Sequence, residues 1–396
     1  MRILLAGQTY FREDNGQAVF TCRLAKGLAD AQHKVIVIAP SGCGKAGQKM
    51  VEHVHLQQVP TIRMPFNTNI TFVSQALVSN LLESFQPDII HLQDHYFISR
   101  AVHIAAKKFS IPMVGTNHFL PDNIIDNLCL PTFTKHIATK LLWAHMLNYY
   151  NMLQKVTTPT QTGVEILYKQ KIRPPVEAIS CGIDISRFYP PTKAERNVGR
   201  QYFTFDNKAT IFLYVGRIDH EKGLDTVLEA FAVLDNEHCI LYLAGKGSYS
   251  SALKKRRDQL GLQKRVVLPG FIPEEDLPRL LHSVDCFVMA GHAELQSIAT
   301  LEAMASGLPV IAARARALPE LVEDNVNGFL FPAHDSEALA RCFQLFLDQR
   351  SEWRKWRAES RHRACKHDHY RTVKKYVEWY RSVLLVPLKK GRISRI

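Results

Sequence analysis

Tyr214-Val215-Gly216-Arg217-Ile218-Asp219-His220-Glu221-Lys222-Gly223 is the stretch on which the reading of this chain turns. The run Ile211–Val215 is β-branched and aromatic, which predicts a strand ending at Gly216. A helix is expected to begin near Leu224, so two cations five residues apart sit in a strand-to-helix turn. Glycine admits close backbone approach, the Arg217 guanidinium offers a planar fork, and Lys222 offers a point charge. Together they suit a diphosphate. A solvated basic turn would carry the same residues, so this stretch needs a second signal beside it.

The second signal runs from Ala293 to Pro309. Glu294 follows a strand and a Gly-containing turn. Glu302 sits in an apolar helix whose Ile298, Leu301 and Met304 face a core. A carboxylate among such neighbours is costly unless hydrogen-bonded, and a ribose diol is an apt partner for Glu302. Glu294 is placed to accept from sugar hydroxyls. A helix-capping glutamate beside a partly exposed one is the structural alternative.

Outward from these motifs the chain alternates strands and helices. Ile3–Gly7, Lys34–Ala39, Ile89–Leu92 and Met113–Thr116 read as strands in the first half, with a helix over Ala18–Gln32. Cys239–Ala244, Val266–Leu268, Cys286–Met289, Val310–Ala312 and Gly328–Phe331 continue the series begun at Ile211. Alternation of this kind implies parallel strands covered by helices on both faces. Between the halves, from Arg173 to Asn207, the rhythm breaks at Pro174, Pro175, Pro190 and Pro191. The expected organisation is a Rossmann-like domain over 1–175, a linker over 176–205, a second Rossmann-like domain over 206–360 and a basic helical tail over 361–396. The tail is expected to return to the first domain. The expected fold class is α/β, with two doubly wound domains facing each other across a cleft, where ligands of such sheets bind.

With 396 residues, 46% hydrophobic and 22% charged, the chain has material for more than one core and is not disordered. No apolar run approaches the roughly 18 residues of a membrane span. Met1–Gly7 reads as a strand and not as a secretion signal. Eight scattered cysteines without C-x-x-C spacing fit a reducing compartment, and the expectation is a cytoplasmic protein. The formal charge of +13 implies an anionic partner: a phosphorylated ligand, nucleic acid or an acidic membrane face.

Two motifs are set aside. Ser41-Gly42-Cys43-Gly44-Lys45 hints at a phosphate-binding loop, but alanine stands at 39 and 46 where that loop needs Gly and Ser or Thr. His362-x-x-Cys365-x-His367-x-His369 matches no regular zinc spacing and is expected to be helical tail. No metal site is expected, because Arg217 and Lys222 can neutralise a leaving phosphate.

Several ordered motifs together resemble group 1 (family 4) retaining glycosyltransferases of the GT-B fold. They are Gly216-Arg217 with Lys222-Gly223, the Glu294-x7-Glu302 pair, its continuation to Gly307-x-Pro309-Val310, and Asn327-Gly328-Phe329-Leu330. Ile179-Ser180-Cys181-Gly182-Ile183-Asp184 with Phe188-Tyr189-Pro190 resembles the interdomain segment of that family. The resemblance implies that Arg217 and Lys222 hold a nucleotide diphosphate, Glu302 the ribose and Glu294 the donor sugar. Gly216 and the amides around Gln296, Ser297 and Ile298 would also face the donor. Gly16, in Asp14-Asn15-Gly16-Gln17, matches the second glycine of the family's Gly-Gly loop, with Asn15 replacing the first. His118, in Thr116-Asn117-His118-Phe119-x-Pro121-x-Asn123, corresponds to a family histidine near the donor sugar. The catalytic set so implied is His118, Glu294, Arg217 and Lys222, with Asp94, His95 and Asn123 on the acceptor side. The acceptor hydroxyl would attack the anomeric carbon on the face the diphosphate leaves, with no enzymic nucleophile and no cofactor.

The run from Asp94-His95 to Asn123, with Glu294-x-Gln296, is similar to the branch that glycosylates diacylglycerol. That implies UDP-glucose as donor, a lipid acceptor and peripheral attachment to the inner membrane face. In Thr134–Lys155, Lys135, Lys140 and Lys155 mix with Trp143, Met146, Tyr149 and Tyr150, which suits a membrane interface; a helix with a buried aromatic face would read the same way. A soluble sugar or polysaccharide acceptor is the competing reading. Nucleic-acid binding is disfavoured, because paired glutamates would repel phosphate. A glycosidase is disfavoured because Glu294 and Glu302 have separate donor roles.

Overall fold

The computed structural model describes residues 1–10, 15–42, 44–63, 69–126 and 131–385. Asp14 of the N-terminal loop, Cys43, Cys129 and the basic end from 386 onward lie outside them. The chain divides into two compact units. One comprises Met1–Phe119, Lys140–Ser180 and the chain from Tyr370; the other comprises Leu120–Thr139 and Cys181–His369.

The first unit is built on β1 (Arg2–Ala6), β2 (Lys34–Pro40), β3 (Gly47–Val51), β4 (Val54–Val59), β7 (Ile89–Leu92), β8 (Met113–Thr116), β9 (Lys155–Thr158) and β10 (Val176–Ala178), with a small ribbon of β5 (Thr61–Arg63) and β6 (Asn69–Thr71). Among the described residues the sheet order is β10-β9-β8-β7-β1-β2-β4-β3, parallel except for β3, which pairs antiparallel with β4. Chain order therefore reverses at β1, between β2 and β7. In open α/β sheets, ligand crevices form at such a reversal, outside the carboxyl ends of the strands.

In the second unit β11 (Thr210–Val215), β12 (Cys239–Ala244), β13 (Val266–Gly270), β14 (Cys286–Met289), β15 (Val310–Ala313) and β16 (Gly328–Phe331) are all parallel, in the order β13-β12-β11-β14-β15-β16. Their side chains are buried almost without a break in β14 and β15, as strands covered on both faces must be. Phe212 of β11 packs edge-on against Phe343 and Phe346 of the helix Ser336–Asp348, and Phe346 stacks on Trp353. The reversal here falls between β11 and β14, the two strands that precede the motifs at Gly216 and Glu294.

The segment 176–205, expected as the linker, carries secondary structure at both ends. Its start is strand β10, paired with β9 of the first sheet. Its end is the helix Lys193–Tyr202, opened by a capping box between Thr192 and Glu195. Arg196 and Arg200 of that helix reach the buried Asp285 carboxylate at 2.6 and 3.3 Å, locking the helix into the second unit. Prolines therefore marked the helix entry here and not a flexible joint.

The last helix, His369–Leu384, belongs with the first unit. Its Tyr380 hydroxyl lies 2.7 Å from Nδ1 of His91, whose Nε2 lies 2.7 Å from Thr116 Oγ1. These rings and hydroxyls form a buried polar seam between the helix and strands β7 and β8. Burial pushes His91 down to about 3, so the seam is made by a neutral imidazole.

Candidate active site

At the end of β11 the backbone turns through Gly216 into the short segment His220–Lys222 and then the helix Leu224–Ala232. Gly223 makes the junction at φ 63°, and a Cβ there would stand 2.6 Å from the Ala290 carbonyl oxygen. Only glycine meets both demands. The turn is thereby pressed against the end of β14, whose following loop carries Glu294.

The two cations are held by carboxylates of the same unit. Arg217 bonds Asp219 through Nη1, and its Nη2 donates to Glu221 Oε1 at 2.7 Å. Lys222 Nζ donates to Glu294 Oε1 at 2.7 Å and lies 3.8 Å from Glu221. Glu221 is fully buried, so its charge tolerates burial only with these partners. Asp219 also accepts from the Ser248 amide at 2.8 Å and the Ser248 hydroxyl at 2.7 Å, tying the loop after β12 to the loop after β11. Gly245 permits this, since a Cβ there would fall on the Gly216 carbonyl. Tyr214 donates its hydroxyl proton to the Arg217 carbonyl at 2.5 Å, and burial holds that phenol well above its ordinary range. Asp219 and Glu221 were not singled out from the sequence. Their alternation with Arg217 and Lys222 was the available signal: acid and base alternate where a turn needs aimed cations.

The loop after β14 leads into the helix Ile298–Ala305. Ser297 caps it, accepting from the Thr300 amide at 3.2 Å and the Thr300 hydroxyl at 2.8 Å. The first amides of such a helix have no carbonyl of their own to bond, and they carry the positive end of the helix dipole. Ile298 opens the helix and Glu302 lies one turn in, 7% exposed. Gln296 is otherwise engaged through its side chain, whose Oε1 accepts from the Cys181 amide at 2.7 Å. Gly216, Arg217, Lys222, Glu294, Gln296, Ser297, Ile298 and Glu302 thus lie on the connections, loop and first helical turns, that follow the two strands flanking the reversal of one sheet.

Asn123 joins this group. It lies in the segment Leu120–Thr139 of the second unit, and its Nδ2 donates to the Ala293 carbonyl at 3.3 Å, one residue before Glu294. The neighbouring Asp126 carboxylate lies 2.7 Å from His292 Nε2, and Asp122 pairs with Arg316 at 3.3 Å.

The other expected residues belong to the first unit, at the carboxyl ends of β1, β7 and β8. Gly16 opens the helix Gly16–Asp30, capped by Asn15, whose side chain accepts from the Ala18 amide at 3.0 Å. Asp94 is buried, and its two oxygens accept from the Gln8 amide at 2.5 Å, the Tyr96 amide at 3.0 Å, Ser99 Oγ at 2.9 Å and Gln17 Nε2 at 3.3 Å. Burial raises its carboxyl, and these four donors oppose that. It clamps the loops after β1 and β7, so its lone pairs are spent inside the unit. His95 is 2% exposed and packed among Tyr96, Phe119, His145 and Tyr150; burial pushes it down to about 3. His118 faces Phe20 at 4.6 Å, and burial likewise pushes it down to about 3. Both imidazoles are neutral at pH 7.

The mixed stretch Thr134–Lys155 resolves into two faces. In the helix Thr132–Tyr150, Trp143, Met146, Tyr149 and Tyr150 are buried core residues, the buried aromatic face that is one of the two readings of this stretch. The exposed apolar residues are instead Phe133, Ile137 and Leu141, spaced four apart, with Lys140 and His136 beside them. Among the described residues no helix is long and apolar enough to cross a membrane.

Cations and carboxylates thus gather at the reversal of one doubly wound sheet, on the connections that follow β11 and β14. Residues 14–187 match the model of Glycosyltransferase Family 4, and residues 196–363 match that of Glycosyl transferases group 1. The chain belongs to this family of retaining, nucleotide-sugar-dependent enzymes and has its GT-B fold. It is 25% identical over 335 residues to an alpha-monoglucosyldiacylglycerol synthase of Streptococcus pneumoniae, covering 84% of this chain and 75% of that one. It is 26% identical over 359 residues to a GDP-mannose-dependent alpha-mannosyltransferase of Corynebacterium glutamicum, covering 88% and 81%. Among solved structures, HepE of Anabaena in complex with UDP-glucose superposes with a TM-score of 0.78 at 20% identity, over 96% of this chain and all of that one (100%).

Proposed function

We propose that this hexosyltransferase moves glucose from UDP-glucose to a hydroxyl of a membrane lipid of the diacylglycerol class. Arg217 and Lys222 hold the diphosphate, with the amides at Ser297 and Ile298 adding the helix N-terminus. Glu302 takes the ribose hydroxyls and Glu294 those of the sugar, while Gly216 lets the phosphates approach the backbone. His118, neutral, donates or accepts a hydrogen bond near the sugar, with Gly16 close by. His95 and Asn123 line the acceptor side, and Asp94 shapes the loop that carries His95. The acceptor oxygen forms the new bond to the anomeric carbon as the bond to the diphosphate breaks, and its proton passes to the leaving phosphate oxygen. The protein supplies positioning and charge stabilisation, and no cofactor is needed.

The observation that carries the lipid reading is the exposed ridge Phe133, Ile137 and Leu141 with the exposed Lys140 beside it. Such a face lies flat in an interface, apolar side toward acyl chains and cations toward anionic headgroups. The net charge of +13 acts in the same direction and supports a peripheral position on an anionic membrane. The pneumococcal relative is named for a glucosylated diacylglycerol, and the Anabaena structure holds UDP-glucose. The corynebacterial relative, named for GDP-mannose, favours a second reading with another donor.

Nucleoside diphosphate release from a panel of UDP- and GDP-sugars, with and without diacylglycerol in mixed micelles, tests this. Release from UDP-glucose that depends on lipid is the expected result. Donor turnover indifferent to lipid moves the acceptor to the soluble class, and release from GDP-mannose alone overturns the donor assignment.

A further inference from the structure

Gly291-His292-Ala293-Glu294, the connection that leaves β14, is held from three other places in the same unit. After β11, the Glu221 carbonyl accepts from the His292 amide at 3.2 Å. After β15, the Ala317 amide donates to the Glu294 carbonyl at 3.2 Å. From the segment Leu120–Thr139, Asn123 Nδ2 donates to the Ala293 carbonyl at 3.3 Å, and Asp126 Oδ2 lies 2.7 Å from His292 Nε2. A carboxylate only accepts, so the His292 ring donates from Nε2. Its Nδ1 is buried and has no hydrogen-bond partner among the described residues, which leaves Asp126 as the polar anchor of the ring.

Strain gathers at the same place. Arg316 pairs with Asp122 at 3.3 Å and takes φ 47°, while His334, its ring 4.7 Å from that of His292, takes φ 66°. Neither is glycine, and a left-handed backbone persists at such residues only where surrounding contacts hold it. Burial, with His292 beside it, keeps His334 below its ordinary range, so a neutral ring packs there. The connection is also folded tightly on itself: a Cβ on Gly291 would stand 3.0 Å from Glu294 Oε1. That oxygen is the one that accepts from Lys222. Arg217, by contrast, is held by the side chains of Asp219 and Glu221 and does not depend on the His292 ring.

We infer that Asp126 and His292 are positioning residues of the donor site, a clamp that sets Glu294 for the transferred sugar. This rests on the proposed function in its assignment of Glu294 to the sugar and Arg217 to the diphosphate. A binding group works only when it is held within about 0.5 Å of its productive place, and the His292 ring is anchored two residues from Glu294. The consequence is selective. The clamp contributes to the affinity for the intact nucleotide sugar and not to that for the free nucleoside diphosphate, which Arg217 still holds.

The test compares the full chain with His292→Leu, Asp126→Ala, the double variant, and His292→Gln, which keeps a donor near the place of Nε2. Both side chains are partly exposed, so the variants are expected to fold. Calorimetric titration with UDP-glucose and with UDP reads the clamp without turnover. Each single variant should lose about tenfold in affinity for UDP-glucose, the order of a hydrogen bond to a charged group, and keep its affinity for UDP. The double variant should be no weaker than the singles, because all three remove one bond, and His292→Gln should recover most of the loss. In steady state the loss should appear in the KM of the donor, with a smaller change in kcat. Wild-type affinity for UDP-glucose in both single variants, equal losses for UDP and UDP-glucose, or additive losses in the double variant would each overturn the clamp. A lowered melting temperature with no recovery by His292→Gln would mark the pair as structural only and overturn it too. If the wild type takes GDP-mannose in place of UDP-glucose, the donor assignment fails, and the clamp is read in the same way with GDP-mannose and GDP.

Discussion

Lys222 Nζ lies 2.7 Å from Glu294 Oε1 although 72 residues separate them in the chain. The cation assigned to the diphosphate and the carboxylate assigned to the sugar therefore bond each other, and a nucleotide sugar that engages both must redistribute that bond. Lys222→Met removes the cation proposed for the diphosphate and takes this partner from Glu294. The expected loss in kcat/KM is about 2–3 kcal/mol, as for a charge-assisted contact made in the transition state. Arg217→Ala is expected to cost at least about as much. Steady-state kinetics with the competent donor checks both, and near-wild-type turnover in either would refute its phosphate role.

Asp219 joins Arg217 to Ser248 and so aims the guanidinium. Asp219→Ala should raise the donor KM about tenfold, the order of a charged hydrogen bond, with a smaller change in kcat. Asp219→Asn, which keeps one acceptor oxygen, should recover part of the loss. Equal kinetics in both variants would mean that Arg217 needs no such brace.

Asp285 holds Arg196 and Arg200, and Arg357 lies 3.5 Å from it. Asp285→Ala strands three cations in a largely buried place and should destabilise the second unit by about 3–5 kcal/mol. Chemical denaturation read by tryptophan fluorescence measures it. A change below about 1 kcal/mol would show that solvent already screens the cluster.

His91, His95 and His118 are each held near 3 by burial, against an unfolded value of about 6.5. Between those values the unfolded chain binds protons that the folded chain refuses, so stability falls as pH drops from about 6.5 toward 3. Each histidine adds up to about 1.4 kcal/mol per pH unit within that window. Denaturation midpoints at pH 7, 6 and 5 should decline progressively, and His91→Gln should flatten the decline. A midpoint constant from pH 7 to 5 would contradict buried, neutral imidazoles.

Phe133 and Leu141 stand one turn on either side of Ile137 on the exposed side of their helix. Phe133→Ser with Leu141→Ser should abolish co-sedimentation with phosphatidylglycerol vesicles while leaving the melting temperature within a degree or two, since neither side chain is buried. Raising salt should weaken wild-type binding through Lys140 and its basic surroundings. Undiminished binding by the double variant would take this ridge out of the membrane reading.

Local pattern carried much of the fold. Ile89–Leu92, Met113–Thr116, Cys239–Ala244, Cys286–Met289 and Gly328–Phe331 fall where short apolar, β-branched runs between turn residues say they should. The turn at Gly216–Gly223 was legible because its glycines and cations are neighbours in the chain. Less legible were β3, β4, β9 and β10, whose polar or Pro-flanked runs become strands only beside a partner. The helix Lys193–Tyr202 was hidden by prolines that lie outside its first turn.

The sequence by itself determined the alternating elements and the family motifs, because backbone propensity and motif chemistry act over a few residues. Tertiary structure decided the rest. It chose which of two apolar faces of the helix Thr132–Tyr150 enters the core, since a 3.6-residue period only says that faces exist. It also brought Lys222 to Glu294. Such pairings depend on strands meeting across a sheet, where the order of neighbours is set by packing and not by distance along the chain.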